Sequence, residues 1–298
     1  MFIEPFHRMF FINDLNISYP HAIVERVSVG KSWCLEINFH SSLYEPTPIY
    51  VFTDLVLGWN FVYALYIPLG VLLAYNAATQ APIAKYESTI LPFAIAISLA
   101  SLITDIVKNA VGRPRPDLLA RCQPSADTKP NVLVTIAVCT APNDHTLHDG
   151  WRSFPSGHSS FSFAGLGFVS LFFAGQLGVF RNGTVEGRDL SRALLCMAPL
   201  LGALMIAISR CEDYRHDVYD VCVGSVLGMT VSYWSYRRHW PKLSSAKSDE
   251  PLPRLGSDED QGWGRVRDEE DGFANGNGQE NGNENGHGVV GYQMARLS

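Results

Sequence analysis

The stretch that decides the fold reads PSGHSSFSFAGLGFVSLFFAGQLGVF and comprises residues 155–180. From Ser159 to Phe180 it runs for 22 residues without a charged side chain. A helix needs about 20 predominantly apolar residues to cross the hydrocarbon core of a bilayer. This stretch therefore predicts a membrane-spanning helix.

Four further stretches of the chain have the same apolar character, namely 55–78, 88–108, 193–209 and 218–236. Buried helices of a large soluble core are the alternative interpretation of any one of them. Five such stretches between residues 55 and 236 favour a membrane protein instead. We therefore expect an all-α fold, a polytopic transmembrane helical bundle of about five spans.

The charge of the chain is concentrated at its C-terminal end. Residues 241–298 hold 11 acids and six bases, which accounts for −5 of the formal net charge of −6. This region is rich in Gly, Asn, Asp and Glu and lacks the apolar surface that would offset the entropy lost on ordering. We predict a polar segment over 1–54, a transmembrane domain over 55–238 and a disordered acidic tail over 239–298. No basic face stands out, which argues against a nucleic-acid partner.

Basic residues at the ends of the predicted spans indicate the orientation of the chain. Those that flank the third, fourth and fifth spans on one side are Arg181, Arg188, Arg192, Arg237 and Arg238. Because cytoplasmic loops carry an excess of Lys and Arg, that side is predicted to be cytosolic. The long loop 111–155 and the first 50 residues then face the lumen or the exterior. In an oxidising lumen Cys122 and Cys139 would either pair or remain free thiols, and the sequence leaves both open.

Polar side chains gather at three places where predicted spans end, and ionisable groups beside a span are usually functional. The first place holds Lys108 and Arg115, where the second span leaves the membrane. Pro114 and Pro116 should end the helix there and hold the arginine in an extended segment. Taken alone, the cluster is also compatible with basic side chains that snorkel to the membrane interface.

The second cluster is Pro155-Ser-Gly-His158, immediately before the third span. Ser156 can cap the helix, and the N–H groups of a first helical turn bind anions. Gly157 allows a ligand to approach the backbone, and His158 adds a group that titrates near neutral pH. An ordinary helix start is the alternative interpretation.

The third cluster, Ser209-Arg210 followed by His216 and Asp220, bridges the fourth and fifth spans. His216 and Asp220 are four residues apart, which predicts that they share a face at the start of one helix. A carboxylate in that position would orient the imidazole and make it a better nucleophile. A purely structural His–Asp pair is the alternative.

The predicted topology places all three clusters at one face of the membrane. Three cations and the N–H groups of a helix start suit a phosphate group. Two histidines and a carboxylate suit covalent phosphoryl transfer. No cluster of carboxylates resembles a cage for a divalent metal, so we expect no metal and no cofactor.

With these motifs the chain resembles the type 2 phosphatidic acid phosphatase superfamily, and within it the integral-membrane lipid phosphate phosphatases. The family pattern is a lysine with Arg-Pro after six residues, then Pro-Ser-Gly-His, then Ser-Arg with a His after five residues and an Asp after three more. All three parts occur in order, and the match covers about 55–238. The resemblance implies a metal-free helical-bundle site for a lipid phosphate such as phosphatidate or diacylglycerol pyrophosphate, facing the lumen of an endomembrane.

The resemblance also implies a role for each motif residue. His216 would attack phosphorus and form a phosphohistidine, Asp220 would orient it, and His158 would protonate the leaving group. The residues that would hold the phosphoryl oxygens are Lys108, Arg115, Ser156, Gly157 and Arg210. The alternatives are a non-catalytic lipid binder or transporter on the same scaffold, and a superfamily enzyme for another phosphate substrate.

The N-terminal part departs from the family pattern, which usually has six spans. Here the chain begins at a segment that follows the first span in relatives, and the polar stretch Ser28–Thr47 precedes the next span. We expect a misplaced start and a retained intron in the gene model as the reason.

Overall fold

The computed structural model describes residues 5–21, 59–143, 145–181 and 189–253. The stretch 28–47 and most of the predicted acidic tail lie outside the described residues. Within those ranges the chain is mostly helical, with one short antiparallel pair of strands. The predicted all-α helical membrane bundle is confirmed.

The helices and strands follow one another in a simple order. In the N-terminal segment and the first part of the bundle they are β1 (Phe10–Phe11), a 3₁₀ turn (Leu15–Ile17), α1 (Trp59–Phe61), a π-helical stretch (Val62–Tyr66), α2 (Ile67–Ala78) and α3 (Ile83–Val111). In the long loop they are α4 (Leu118–Cys122), β2 (Leu133–Val134), a 3₁₀ turn (Ile136–Val138) and α5 (His145–Asp149). The last three helices are α6 (Gly157–Gln176), α7 (Leu190–Glu212) and α8 (Val218–Arg237).

Among the described residues three helices, α3, α6 and α7, are long and apolar enough to cross a membrane. The first predicted span corresponds to α1 and to the shorter apolar helix Val62–Ala78 that follows it. The fifth corresponds to α8, which has 20 residues but contains several Ser, Thr, Gly and Tyr side chains. All five predicted spans therefore contain a helix.

Helix α6 lies at the centre of the bundle and packs against α3, α7 and α8. Small side chains allow this close packing. A Cβ atom at Gly224 of α8 would lie only 2.5 Å from the carbonyl oxygen of Ser156. A Cβ atom at Gly228 would lie 2.2 Å from the carbonyl oxygen of Ser160. Small residues spaced four apart let helix backbones approach in this way in membranes. The contact brings the start of α8 to the start of α6, where two of the predicted clusters lie.

The long loop between α3 and α6 folds into a compact cap at this end of the bundle. Its small core includes Phe10, Leu118 and Trp151, so residues 5–21 pack onto it. Strand β1 pairs with β2 in this cap, and Cys122 forms a disulfide with Cys139. Of the two states that the sequence leaves open, the structure has the disulfide.

The residues that follow α8 contact the helices of the bundle. Trp240 is fully buried and its Nε1 donates to the carbonyl oxygen of Ser88 at 2.9 Å. Ser248 Oγ donates to the carbonyl oxygen of Gly175 at 2.8 Å. The first residues after α8 therefore pack against the bundle, through one large apolar side chain.

Candidate active site

The start of α6 forms one wall of the site. Ser156 caps the helix, and its Oγ accepts from the backbone N–H of Ser159 at 3.4 Å. The backbone N–H of Ser156 donates to the carbonyl oxygen of Asp220 at 2.9 Å, which ties this turn to α8. A Cβ atom at Gly157 would lie 3.0 Å from Lys108 Nζ, so the ammonium group sits against the first turn of α6. The structure thus places Lys108 beside the Ser156-Gly157 turn.

Arg210 reaches the same place from the last turn of α7. Its side chain is fully buried, and Nη1 lies 3.5 Å from Nε2 of His158. Nη2 donates to the carboxylate of Asp213, which holds the guanidinium in place. The structure therefore brings the second and third predicted clusters together.

Arg115 lies beside the site with its guanidinium oriented by Asp149. Nε donates to the backbone carbonyl of Asp149 and Nη2 to Oδ1, both at 2.8 Å. Nη1 points to the carbonyl oxygen of Arg215 at 3.4 Å, one residue before His216. The extended Arg-Pro-Arg-Pro segment predicted from the sequence thus places Arg115 between the long loop and the turn that carries His216.

Asp149 is the centre of a buried network of charges in the cap. Besides Arg115, its carboxylate accepts from Arg121 at 3.2 Å and from Arg215 at 3.3 Å. Burial alone would raise the pKa of Asp149, but the charges of Arg115, Arg121 and Lys108 outweigh it and hold the pKa well below its ordinary value. The carboxylate is therefore ionised across the physiological range.

The geometry of His216 and Asp220 differs from the prediction. Helix α8 begins at Val218, with Asp217 as its cap, so His216 precedes the helix and does not share a helical face with Asp220. The prediction of a shared helical face is wrong because an Asp directly after the histidine caps the helix at that point. Nδ1 of His216 nevertheless lies 3.8 Å from Oδ2 of Asp220, beyond hydrogen-bond distance.

His216 is buried, and its Nδ1 has no hydrogen-bond partner within the described ranges. Burial lowers the pKa of His216 well below its ordinary value, and the charges of Arg115, Lys108 and Arg210 lower it further. A neutral imidazole at pH 7 keeps a lone pair on one ring nitrogen. The same cations that suit a phosphate therefore also keep this histidine in its nucleophilic form.

Three side chains of the site escaped the sequence analysis: Arg113, Asp149 and Ser153. Arg113 and Ser153 both donate to the carboxylate of Asp220, at 2.6 and 2.5 Å. Asp220 is 107 residues from Arg113 and 67 from Ser153, so no local spacing rule connects them. Only the packing of the cap against α8 brings these groups together.

Within the part of the chain that the structure describes, no group of three or more His, Cys, Asp or Glu side chains is arranged to hold a metal ion. The carboxylates of Asp149, Asp213 and Asp220 each face an arginine instead.

Comparisons with known proteins match a large part of this chain. The model of the PAP2 superfamily matches residues 89–244, which is just over half of the chain. A probable diacylglycerol pyrophosphate phosphatase 1 of Schizosaccharomyces pombe is 37% identical over 246 residues, covering 82% of this chain and 76% of the relative. Diacylglycerol pyrophosphate phosphatase 1 of Saccharomyces cerevisiae is 37% identical over 256 residues, with 84% and 75% covered. Lipid phosphate phosphatase 2 of Arabidopsis thaliana is 35% identical over 178 residues, with 60% and 59% covered.

Proposed function

The chain belongs to the PAP2 superfamily, and from this premise we propose that it is a membrane lipid phosphatase acting on diacylglycerol pyrophosphate, phosphatidate or related lipid phosphates. The names of its relatives support a phosphatase activity on lipids. The arrangement of one buried histidine, three cations and a helix start supports the same conclusion from the chemistry. We further propose that the reaction proceeds through a phosphohistidine without a metal ion.

In this mechanism the phosphoryl group of the lipid binds where the start of α6 meets Lys108, Arg115 and Arg210. Phosphoryl transfer depends mainly on positioning and on stabilising the charge of the equatorial oxygens. These three cations and the N–H groups of the first turn of α6 would supply both the positioning and the charge stabilisation. Anion binding at a helix start needs no bound metal.

The neutral imidazole of His216 would attack phosphorus through Nε2, the nitrogen that does not face Asp220. A bond between nitrogen and phosphorus forms while the bond from phosphorus to the bridging oxygen breaks. With the phosphate anion bound beside it to offset the nearby cations, His158 would carry a proton and donate it to that oxygen, so that diacylglycerol leaves from phosphatidate, or phosphatidate from diacylglycerol pyrophosphate. Water would then attack the phosphohistidine and release inorganic phosphate, with His158 accepting a proton.

A single observation carries the proposal: His216 is buried close to Arg115, Lys108 and Arg210, and burial first and these charges second lower its pKa. A structural histidine gains nothing from such surroundings, whereas a nucleophile that must approach a phosphate needs both features. The disulfide Cys122–Cys139 supports a site that faces an oxidising lumen or the exterior, because such bonds persist there.

The test is phosphate release from diacylglycerol pyrophosphate and phosphatidate by membranes that contain the chain, with excess EDTA. We expect activity in EDTA that falls at least about a thousandfold in His216→Ala, as removal of a nucleophile does elsewhere. His145→Ala is the matched control, since His145 is exposed on the cap, and should leave the rate unchanged. Loss of activity in EDTA would overturn the metal-free mechanism. An inserted wild-type chain without activity on either lipid would favour a lipid binder or transporter.

A further inference from the structure

Arg113 stands apart from the three cations that the sequence assigns to phosphate binding. Its guanidinium donates from Nη1 to Oδ1 of Asp220 at 2.6 Å and from Nη2 to Oδ2 of Asp217 at 2.8 Å. We infer that Arg113 is a positioning residue that holds the Asp220 carboxylate against His216 and does not itself bind phosphate. The inference rests on the proposed function of the site.

The carboxylate of Asp220 is fully buried and held from three directions. Arg113 donates to Oδ1. Ser153 Oγ donates to Oδ2 at 2.5 Å, and the backbone N–H of Asp217 donates to the same oxygen at 3.2 Å. These donors come from the segment after α3, the segment before α6 and the residue that caps α8. The direction in which Oδ2 points is therefore set by the assembled cap and not by Asp220 alone.

Oδ2 is also the oxygen that faces His216. The distance of 3.8 Å to Nδ1 is about 1 Å longer than a hydrogen bond. Catalytic hydrogen bonds are often long in the free enzyme and shorten when substrate binds. Because Nδ1 has no other partner among the described residues, Asp220 is positioned to accept a hydrogen bond from Nδ1–H once His216 moves toward phosphorus.

Arg113 is the charged partner in this arrangement. Ser153 and the N–H of Asp217 are neutral donors, and a buried carboxylate without a counter-charge is costly. Only a planar guanidinium can donate to Asp220 and Asp217 simultaneously at these distances. Loss of Arg113 should therefore let the carboxylate rotate or move and weaken its alignment with the nucleophile.

The same contacts argue against a phosphate-binding role. Both terminal nitrogens of Arg113 already donate to carboxylates, and the two acidic groups would repel an approaching phosphate. Lys108, in contrast, lies against the first turn of α6, and Arg210 lies beside His158. Arg113 thus acts on the reaction through Asp220.

The experiment compares Arg113→Ala, Arg113→Lys and Ser153→Ala with the wild type in detergent–lipid micelles. It measures kcat, KM and inhibition by vanadate, an anion that mimics phosphate. Loss of a hydrogen bond to a charged group predicts a kcat about 10- to 100-fold lower in Arg113→Ala, with KM and vanadate inhibition unchanged. Arg113→Lys should retain an intermediate rate, and added guanidinium ion should restore part of the activity of Arg113→Ala. Ser153→Ala should lower kcat in the same manner.

Arg181→Ala is the matched control, because Arg181 forms a comparable pair with Asp249 at 2.9 Å at the opposite end of the bundle. It should leave kcat unchanged.

If Arg113→Ala raises KM and weakens vanadate inhibition while kcat persists, Arg113 binds phosphate and the inference is wrong. Wild-type kinetics in Arg113→Ala would also overturn it. If Arg113→Ala does not fold, Arg113→Lys and Ser153→Ala decide the question. A wild-type chain without activity contradicts the proposed function itself and is thus a separate outcome.

Discussion

The two ends of the helical bundle are held together by different forces. At the site end, buried charges meet across loops: Asp149 alone accepts from Arg115, Arg121 and Arg215. At the opposite end, the rings of Trp240, Tyr236 and Phe172 pack together in an apolar cluster. Hydrogen bonds between charged groups are directional and fix individual atoms, whereas apolar packing is not directional and mainly stabilises. Catalysis therefore depends on the first end and stability on both.

Among the substitutions that compare the two ends, Asp149→Asn is expected to have the largest effect, because it should alter both activity and stability. Asp149→Asn removes a counter-charge that Arg115, Arg121 and Arg215 share, of which Arg121 and Arg215 also face Asp117. Breaking a buried ion pair costs about 3–5 kcal/mol. Arg115 also loses its ion pair with the carboxylate, so kcat/KM should fall about 10- to 100-fold. Thermal unfolding in detergent and the phosphate-release assay measure the two effects. A variant with full activity would show that the network is only structural.

The pH dependence of stability tests the same carboxylate. The folded state holds the pKa of Asp149 below its ordinary value, so its contribution to stability is present above the unfolded-state pKa of about 3.9. That contribution is lost as the pH falls through the folded-state pKa, since the unfolded chain then binds the additional proton. We expect wild-type stability to change little through Asp149 between pH 7 and 5 and to decrease below about pH 4. Asp149→Asn should lack this component of the acid-induced decrease.

At the opposite end, Trp240→Ala should lower stability without altering the kinetics of the folded enzyme. The side chain is fully buried, and truncation of a buried Trp to Ala costs about 3–5 kcal/mol. Trp234 is the control because it is 48% exposed, and its replacement by Ala should change stability by less than about 0.5 kcal/mol. Thermal unfolding measures the loss of stability, and kcat per folded molecule shows whether catalysis has changed. A large fall in kcat would contradict the separation between the two ends.

Loss of the disulfide of the cap should lower stability slightly less than Trp240→Ala does. Cys122 and Cys139 are 17 residues apart, and closing a loop of that size stabilises by about 3 kcal/mol. The double replacement Cys122→Ser and Cys139→Ser should lower the unfolding temperature, and a reductant should have the same effect on the wild type. Cys222→Ser, at an exposed free thiol, is the control. Equal unfolding temperatures with and without reductant would contradict this prediction.

Much of the fold could be predicted from local features of the chain. Each predicted span contains a helix, because about 20 apolar residues in sequence favour a helix in a bilayer wherever they occur. The first turn of α6 with its Ser156 cap was equally predictable from its own residues. The burial of Trp240 was not predictable in this way, since it depends on contacts with Ser88, a residue of another helix.

The candidate site shows the same division. The sequence by itself determined the residue types that can bind and transfer a phosphoryl group, because motif spacing and span ends are local properties of the chain. Only the tertiary structure decided which charges meet: Arg113 and Ser153 at Asp220, and Asp149 at Arg115. Several arginines and aspartates lie within the same cap, and their pairing depends on how the loops fold over the helix ends. The physical reason is that apolar patterns act over neighbouring residues, whereas an ion pair forms only between groups that the folded backbone brings within a few ångströms.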